Sequence, residues 1–367
     1  MKTVQRLIQS EVLKAVVFVT VGFLGLFLFF DTVEEMRLVA LHKEVGYGLR
    51  QAAGVLALKV PGYLYDVLPI TVLIGCIYVM ARMAQSSEFT ILRTGGLGPA
   101  KALSSLLPLG LFFVILTFVI GDYVSPLAER QIQRIRLVYK GGFTSGHTGA
   151  WLKEKRDGLH YAVNVRSLDG RARMNDIRIY EFNQNGQVLR LTQAVGGHFE
   201  EDQWQLNDVS QQLIEHDGDR PSRIRKTHRD TLNWPTQITE EMVSASLLLP
   251  TRMRTFDLFV YMRHLDSNNQ NAQRYEIEFW RKVFYPLSCL VMLTLALPFA
   301  YLHYRSGQIA GHVFMGVMAG ISFYMLNNIF SFVGNLQNWQ PWLTSAAPAM
   351  IYSLLALGTF WWMVWRR

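Results

Sequence analysis

The chain has 367 residues, half of them hydrophobic, and a formal net charge of +8 at pH 7. Its apolar residues are clumped: no Asp, Glu, Lys or Arg occurs from Ser306 to Trp365, which excludes an ordinary soluble core for that stretch. The positive charge lies beside apolar runs without a nucleic-acid motif, so it reads as a topology signal facing anionic lipid, with no nucleic acid as partner; Cys76 and Cys289 support neither a disulfide framework nor a zinc site.

Lys2, Arg6 and Lys14 precede the first apolar run, as in a secretory leader. That run is long and lacks a small-residue cleavage pattern, so it is read as an uncleaved first span. A membrane crossing needs about 20 mostly apolar residues. Six segments qualify, near Val12 to Thr32, Tyr63 to Met83, Ala102 to Gly121, Val283 to Tyr304, Ile309 to Gly334 and Leu343 to Trp365. With the amino terminus inside, the short inner segments carry Lys2, Arg6, Lys14, Arg82, Arg93, Lys101, Arg305, Arg366 and Arg367, against Arg37, Lys43, Arg50 and Lys59 outside. This bias predicts both termini in the cytoplasm and the long middle segment outside.

At the outer end of the first span stand Asp31, Glu34, Glu35 and Arg37. The inner connector Arg82 to Lys101 predicts a short amphipathic helix, capped by Ser86 or Ser87 and ended by Gly95 or Gly96. Glu88, Phe89, Leu92 and Arg93 would give it an apolar side with a polar rim, fitting either a groove on a partner or the lipid surface. After the third span, Arg130, Arg134 and Arg136 are candidates for phosphate binding, for which the guanidinium fork is suited, or for a solvated helix face.

From Asp122 to Arg281 the pattern turns polar and strand-like. Tyr161, Val163 and Val165 alternate with Ala162, Asn164 and Arg166, Ile177 and Ile179 flank Arg178, and Leu189 and Leu191 flank Arg190. Asp169-Gly170, Asn185-Gly186 and Asp217-Gly218 are turn dipeptides, and the spacing predicts a sandwich or jelly roll. Beyond Pro250 a helical pattern leads to the fourth span. In the fifth span Gly316 and Gly320 allow close helix approach, within the chain or to a partner, while Asn327 and Asn328 need a helix partner or a cavity. No Gly-Lys-Ser or Gly-Lys-Thr occurs, and the histidines have no metal spacing. The residues therefore give no recognisable cofactor or nucleotide site, and a transport subunit, a lipid-modifying membrane enzyme and a force-transmitting scaffold all stay open.

The connector Met83-Ala84-Gln85-Ser86-Ser87-Glu88, the junction Gly121-Asp122-Tyr123-Val124-Ser125-Pro126 and the return segments Ala272 to Glu276 and Lys282 to Ser288 resemble the lipopolysaccharide-export permeases LptF and LptG. Gly320-Ile321-Ser322-Phe323-Tyr324 leans toward the LptG branch. The resemblance covers essentially the whole chain. It implies an α+β membrane protein of the bacterial inner membrane, with six transmembrane helices and a periplasmic β-jellyroll inserted between the third and fourth. The divisions would be 1–121 with a coupling helix near 84–96, 122–280, and 281–367. It further implies pairing with an LptF-like permease, an LptB-like ATPase dimer docked on the connector through Glu88, LptC-like and LptA-like periplasmic proteins, and lipopolysaccharide as cargo. The family's pattern has lysines at the outer end of the first span where this chain has acids. That leaves Arg37 beside Arg130, Arg134 and Arg136 as candidate lipid-phosphate contacts.

Overall fold

The computed structural model describes residues 2–43, 46–86, 88, 91, 94, 98–140, 149–156, 158–168, 173–200, 203–217, 220–239, 242–243, 250–268, 270–301 and 309–365. In chain order the helices are α1 (Lys2–Leu41), α2 (Leu49–Gln85), α3 (Pro99–Val119), α4 (Ser125–Lys140), α5 (Thr255–Ser267), α6 (Gln273–Phe284), α7 (Ser288–Ala296), α8 (Ile309–Leu336) and α9 (Pro341–Trp365). The strands are β1 (Ala150–Arg156), β2 (Leu159–Leu168), β3 (Met174–Phe182), β4 (Val188–Glu200), β5 (Gln203–Asp217) and β6 (Arg220–Pro235). They pack into two compact units, one of Met1–Leu38, Ala52–Glu129 and Glu276–Arg367, the other of Val39–Gln51 and Arg130–Tyr275.

The first unit holds the apolar helices. Among the described residues six segments are long and apolar enough to cross a membrane: Gln5–Leu41, Leu49–Gln85, Ala100–Arg136, Gln273–Ala300, Ala310–Leu336 and Pro341–Trp362. The six expected spans are present, but the first three helices run well past their apolar cores. At about 1.5 Å per residue the 40 residues of α1 reach about 60 Å, twice the hydrocarbon thickness. No Pro or Gly interrupts α1 at the end of its apolar run, so the backbone hydrogen bonds continue into the polar residues that follow. As a result Arg37 and Lys59, expected in loops, stand on α1 and α2.

The fourth span is broken twice. Pro286 and Pro298 supply no backbone N–H, and 3₁₀ turns at Tyr285–Leu287 and Leu297–Tyr301 replace regular α-helix there. Between α3 and α4 the chain passes through a π-helical turn, Ile120–Val124. The core of this unit is α2. Of its most apolar window 83% is buried, against 17% for α1, so α2 lies inside the bundle and α1 at its margin.

The second unit is built on one antiparallel sheet whose six strands pair in sequence order, β1 to β6. The alternation read in β2 and β3 is its inner face, with Tyr161, Val163, Val165, Ile177 and Ile179 buried; in β4 the residues on that face are Thr192 and Ala194, paired with Ile179 and Ile177, and Leu189 and Leu191 take the opposite parity. Asn164, on the opposite parity, is also buried, and its amide donates to the Ala150 carbonyl at 3.2 Å. Asn185-Gly186 forms the β3–β4 turn, with Gly186 at φ +79, a conformation that favours glycine. Asp169-Gly170 and Gly218 lie outside the described residues. One end of the sheet is closed by Trp204, fully buried with its indole N–H donating to the Ile238 carbonyl at 2.9 Å, and by Trp234 against it. Glu154, on the buried parity of β1, accepts from the Thr236 hydroxyl at 2.6 Å and the Gln237 amide at 3.0 Å, which satisfies its carboxylate.

Candidate functional site

The expected connector is partly described. α2 ends at Gln85, and the Ser86 hydroxyl donates back to the Met83 carbonyl at 3.3 Å, so Ser86 closes α2 instead of capping a new helix. Glu88, Ile91 and Thr94 are helical and exposed, one turn apart on a single side, with Ile91 68% exposed. Phe89, Leu92 and Arg93 lie outside the described residues. An exposed carboxylate beside an exposed aliphatic side chain is a surface suited to docking.

α1 is stitched to α2 along its length. The Thr20 hydroxyl donates to Thr71 Oγ1 at 2.9 Å, and the Tyr63 hydroxyl to Asp31 Oδ2 at 2.5 Å. Lys59 Nζ stands 3.0 Å from Asp31 and 3.6 Å from Glu35, whose side chain is 0% exposed. At the other end Glu11 holds Arg82 at 2.6 Å. The acids at the outer end of the first span thus face a lysine of the same chain. Sequence reasoning missed Lys59 as their partner; a Lys–Tyr pair one turn apart at the edge of an apolar run was the available signal. The side of α1 turned away from α2 is left apolar and exposed, with Phe18 81%, Phe29 65% and Val33 61% exposed.

α8 meets α2 through its glycines. A Cβ at Gly316 would stand 2.6 Å from Ile77 Cδ1, and one at Gly320 2.6 Å from Ile70 Cγ2, so only glycine permits this approach. Both neighbours belong to this chain. Asn327 donates to the Phe323 carbonyl one turn back at 3.0 Å, and Asn328 accepts from Arg281 at 3.4 Å. Arg281 also pairs with Glu278 at 3.4 Å, and Lys282 Nζ donates to the Gly121 carbonyl of the π-helical turn at 3.2 Å. These contacts tie α6, α8 and the end of the third span together and answer the cost of polar groups at membrane depth. An apolar cavity of about 320 Å³ lies between α2, the broken fourth span, α8 and α9, lined by Leu73, Ile77, Phe299, Met315 and Gly316.

The basic candidates are dispersed. Arg37 is 71% exposed, with Glu34 at the salt-bridge limit of 3.9 Å. Arg130 pairs with Asp257 of α5 at 2.8 Å. Arg134 lies one turn further along α4 and is exposed; Arg136 faces a different side of the helix and is half-buried. Among the described residues no group of three or more His, Cys, Asp or Glu side chains is placed to hold a metal ion. His264 of α5 is buried, which pushes its pKa below the ordinary histidine value, with Glu154 acting in the opposite direction.

Residues 6–366 match the family model described as "Lipopolysaccharide export system permease LptF/LptG". A Haemophilus influenzae protein named lipopolysaccharide export system permease protein LptG is 28% identical over 369 residues, covering 100% of this chain and 99% of that relative. The protein of the same name from Escherichia coli K12 is 27% identical over 339 residues, covering 90% of this chain and 91% of its own length. Six membrane-length helices with an antiparallel sheet inserted after the third, under one family model that spans nearly the whole sequence, show that the chain belongs to the lipopolysaccharide export system permease LptF/LptG family.

Proposed function

We propose that this chain is the LptG-type permease subunit of an ABC transporter that extracts lipopolysaccharide from the inner membrane and delivers it to a periplasmic protein bridge. The observation that carries this reading is the family match along residues 6–366. In this reading an LptF-like permease faces α1 and α8, whose outward sides are apolar: Phe18, Phe29 and Val33 on α1, and Phe314 and Phe332, 64% and 67% exposed, on α8. An LptB-like ATPase dimer supplies the energy from below. It docks on the connector at Glu88, with Phe89, Leu92 and Arg93 completing the contact, and the chain itself transports without hydrolysing nucleotide. The sheet unit lies in the periplasm with both termini in the cytoplasm, and its outer strands β1 and β6 pair with LptC-like and LptA-like proteins.

Mechanically, closure of the ATPase would press on a connector joined directly to the buried α2. Because α2 carries α1 through ion pairs and α8 through glycine contacts, its displacement would change how both outer helices meet the partner permease. Arg134 and Arg37, both exposed, offer positive charge to lipid phosphates, whereas Arg130 is already neutralised by Asp257. The test is reconstitution of the full chain with its co-purifying partners in liposomes. ATP-dependent release of lipopolysaccharide to an added periplasmic acceptor supports the proposal. ATP hydrolysis with no release, in an assembly confirmed intact, supports a scaffold instead.

A further inference from the structure

β6 is one edge of the sheet and pairs with β5 along its length; among the described residues no strand lies against its other side. Every second residue of such an edge turns its N–H and C=O outward with no strand to receive them. Near the buried Trp234 the edge belongs to the packed end of the sheet, but from Arg223 to Thr231 every side chain is exposed, on both faces. This stretch, Arg223-Ile224-Arg225-Lys226-Thr227-His228-Arg229-Asp230-Thr231, holds four Arg or Lys and a single acid. Alternation along the strand puts Arg223, Arg225 and Arg229 on one face and Lys226 and His228 on the other.

β5 answers only part of this charge. Glu215 stands opposite Arg223 and 3.9 Å from Arg225, and Asp208 lies 3.5 Å from His228. Lys226 and Arg229 are paired in register with Gln212 and Val209, which carry no charge. The surplus is therefore positive, and it lines an open backbone edge.

Three occupants can be compared on this pattern. A second copy of β6 would set Arg and Lys against Arg and Lys, and like charges directly opposite are unfavourable. A layer of anionic headgroups is flat and meets the cations of one face, whereas these project from both. An added strand carries side chains on both faces at the spacing of β6 itself, and its backbone satisfies the open edge. Opposite charges across a strand pair are favourable, so the strand that fits is acidic on both faces.

We propose that β6 from Arg223 to Thr231 docks an extended acidic segment of a partner protein as one further strand, with carboxylates reaching Arg223, Arg225 and Arg229 on one face and Lys226 on the other. This rests on the reading of β6 as a pairing edge and adds the chemistry of what it accepts.

The test uses the full chain in neutral detergent micelles and a fluorescent strand-forming peptide of about ten residues with glutamates at adjacent positions, so that both its faces are acidic. It should bind several-fold more tightly than the same peptide with lysines in place of the glutamates, and more tightly than a copy N-methylated at alternate backbone nitrogens, which cannot complete the strand pairing. Lys226→Glu combined with Arg229→Glu leaves the β5 ion pairs in place. The double variant should weaken the glutamate peptide several-fold and strengthen the lysine peptide, a gain that an unfolded sheet would not give. No binding of the glutamate peptide, equal binding of its N-methylated copy, or no gain for the lysine peptide would overturn the proposal. So would phosphatidylglycerol displacing the peptide as well as unlabelled glutamate peptide does, which would make anionic lipid the occupant. The assay needs no transport, so a failure of lipid release leaves it standing, and its own failure leaves the transport reading standing.

Discussion

Glu88 is the only acidic residue between Arg82 and Lys101, and it is exposed on a helical turn. A carboxylate that becomes buried against a basic group on docking leaves that group unpaired when removed, at a cost of several kcal/mol. Glu88→Ala is therefore expected to weaken ATPase association or uncouple hydrolysis from lipid release, and Glu88→Lys to do so more severely, with the chain still inserted. Co-purification and transport assays read this directly; normal binding and transport in Glu88→Lys would remove the coupling role and leave a helix lying on lipid. His264 makes a pH-dependent prediction of its own. Burial depresses its pKa, so the packed state holds it neutral and the packing is complete above the ordinary histidine value of 6.5. As pH falls below that value the unpacked state binds the proton preferentially, and stability is lost until pH passes below the depressed pKa. Thermal unfolding of the full chain in lipid should show this loss between neutral and mildly acidic pH, and His264→Phe should flatten the slope.

Pairings between helices govern what moves together. Glu35 is fully buried with Lys59 at 3.6 Å, and Lys59 also stands 3.0 Å from Asp31, so Lys59→Met would withdraw one cation from two carboxylates. A buried pair broken on one side typically costs about 3–5 kcal/mol. The expected outcome is a lower unfolding temperature or reduced accumulation in the membrane. Lys59→Met combined with Glu35→Gln should recover part of the loss, because the fully buried charge is then gone while Asp31, 3.0 Å from Lys59, keeps its own; a double variant no better than the single would show that Glu35 and Lys59 are not coupled. On α8, Gly316→Leu would drive a side chain into Ile77 and push the helix away from α2. With α2 as the element linked to the connector, this variant is expected to leave ATP hydrolysis running while lipid release falls.

For the molecule as a whole the decisive question is the side on which the sheet unit lies. In the proposed reading, the bias of loop charges predicts both termini inside and the sheet outside. Asn185 is exposed in the β3–β4 turn, and the native Cys76 and Cys289 are buried, so Asn185→Cys offers one accessible thiol among the described cysteines. In whole cells with a permeabilised outer membrane, Asn185→Cys should react with an impermeant thiol reagent; labelling that requires lysis of the inner membrane would invert the topology.

The sequence by itself determined the number of spans, the place of the insertion and its β character. Each is a sum over neighbouring residues: about 20 apolar side chains make a span wherever they occur, and alternation with turn dipeptides makes strands. The alternation in β2 and β3 also located the buried inner face, whereas Leu189 and Leu191 of β4 lie on the other one, and the glycines of the fifth span were visible as a site of close approach. Only the tertiary structure decided that Ile77 and Ile70 of α2 are what Gly316 and Gly320 approach, that Lys59 answers Asp31 and Glu35, and that Arg130 belongs to Asp257. These pairings join residues far apart in the chain, and no local pattern carries the register of one helix against another. The structure likewise decided where the helices stop, since a backbone hydrogen-bond ladder once begun continues past the hydrocarbon edge until a proline or a packed turn ends it.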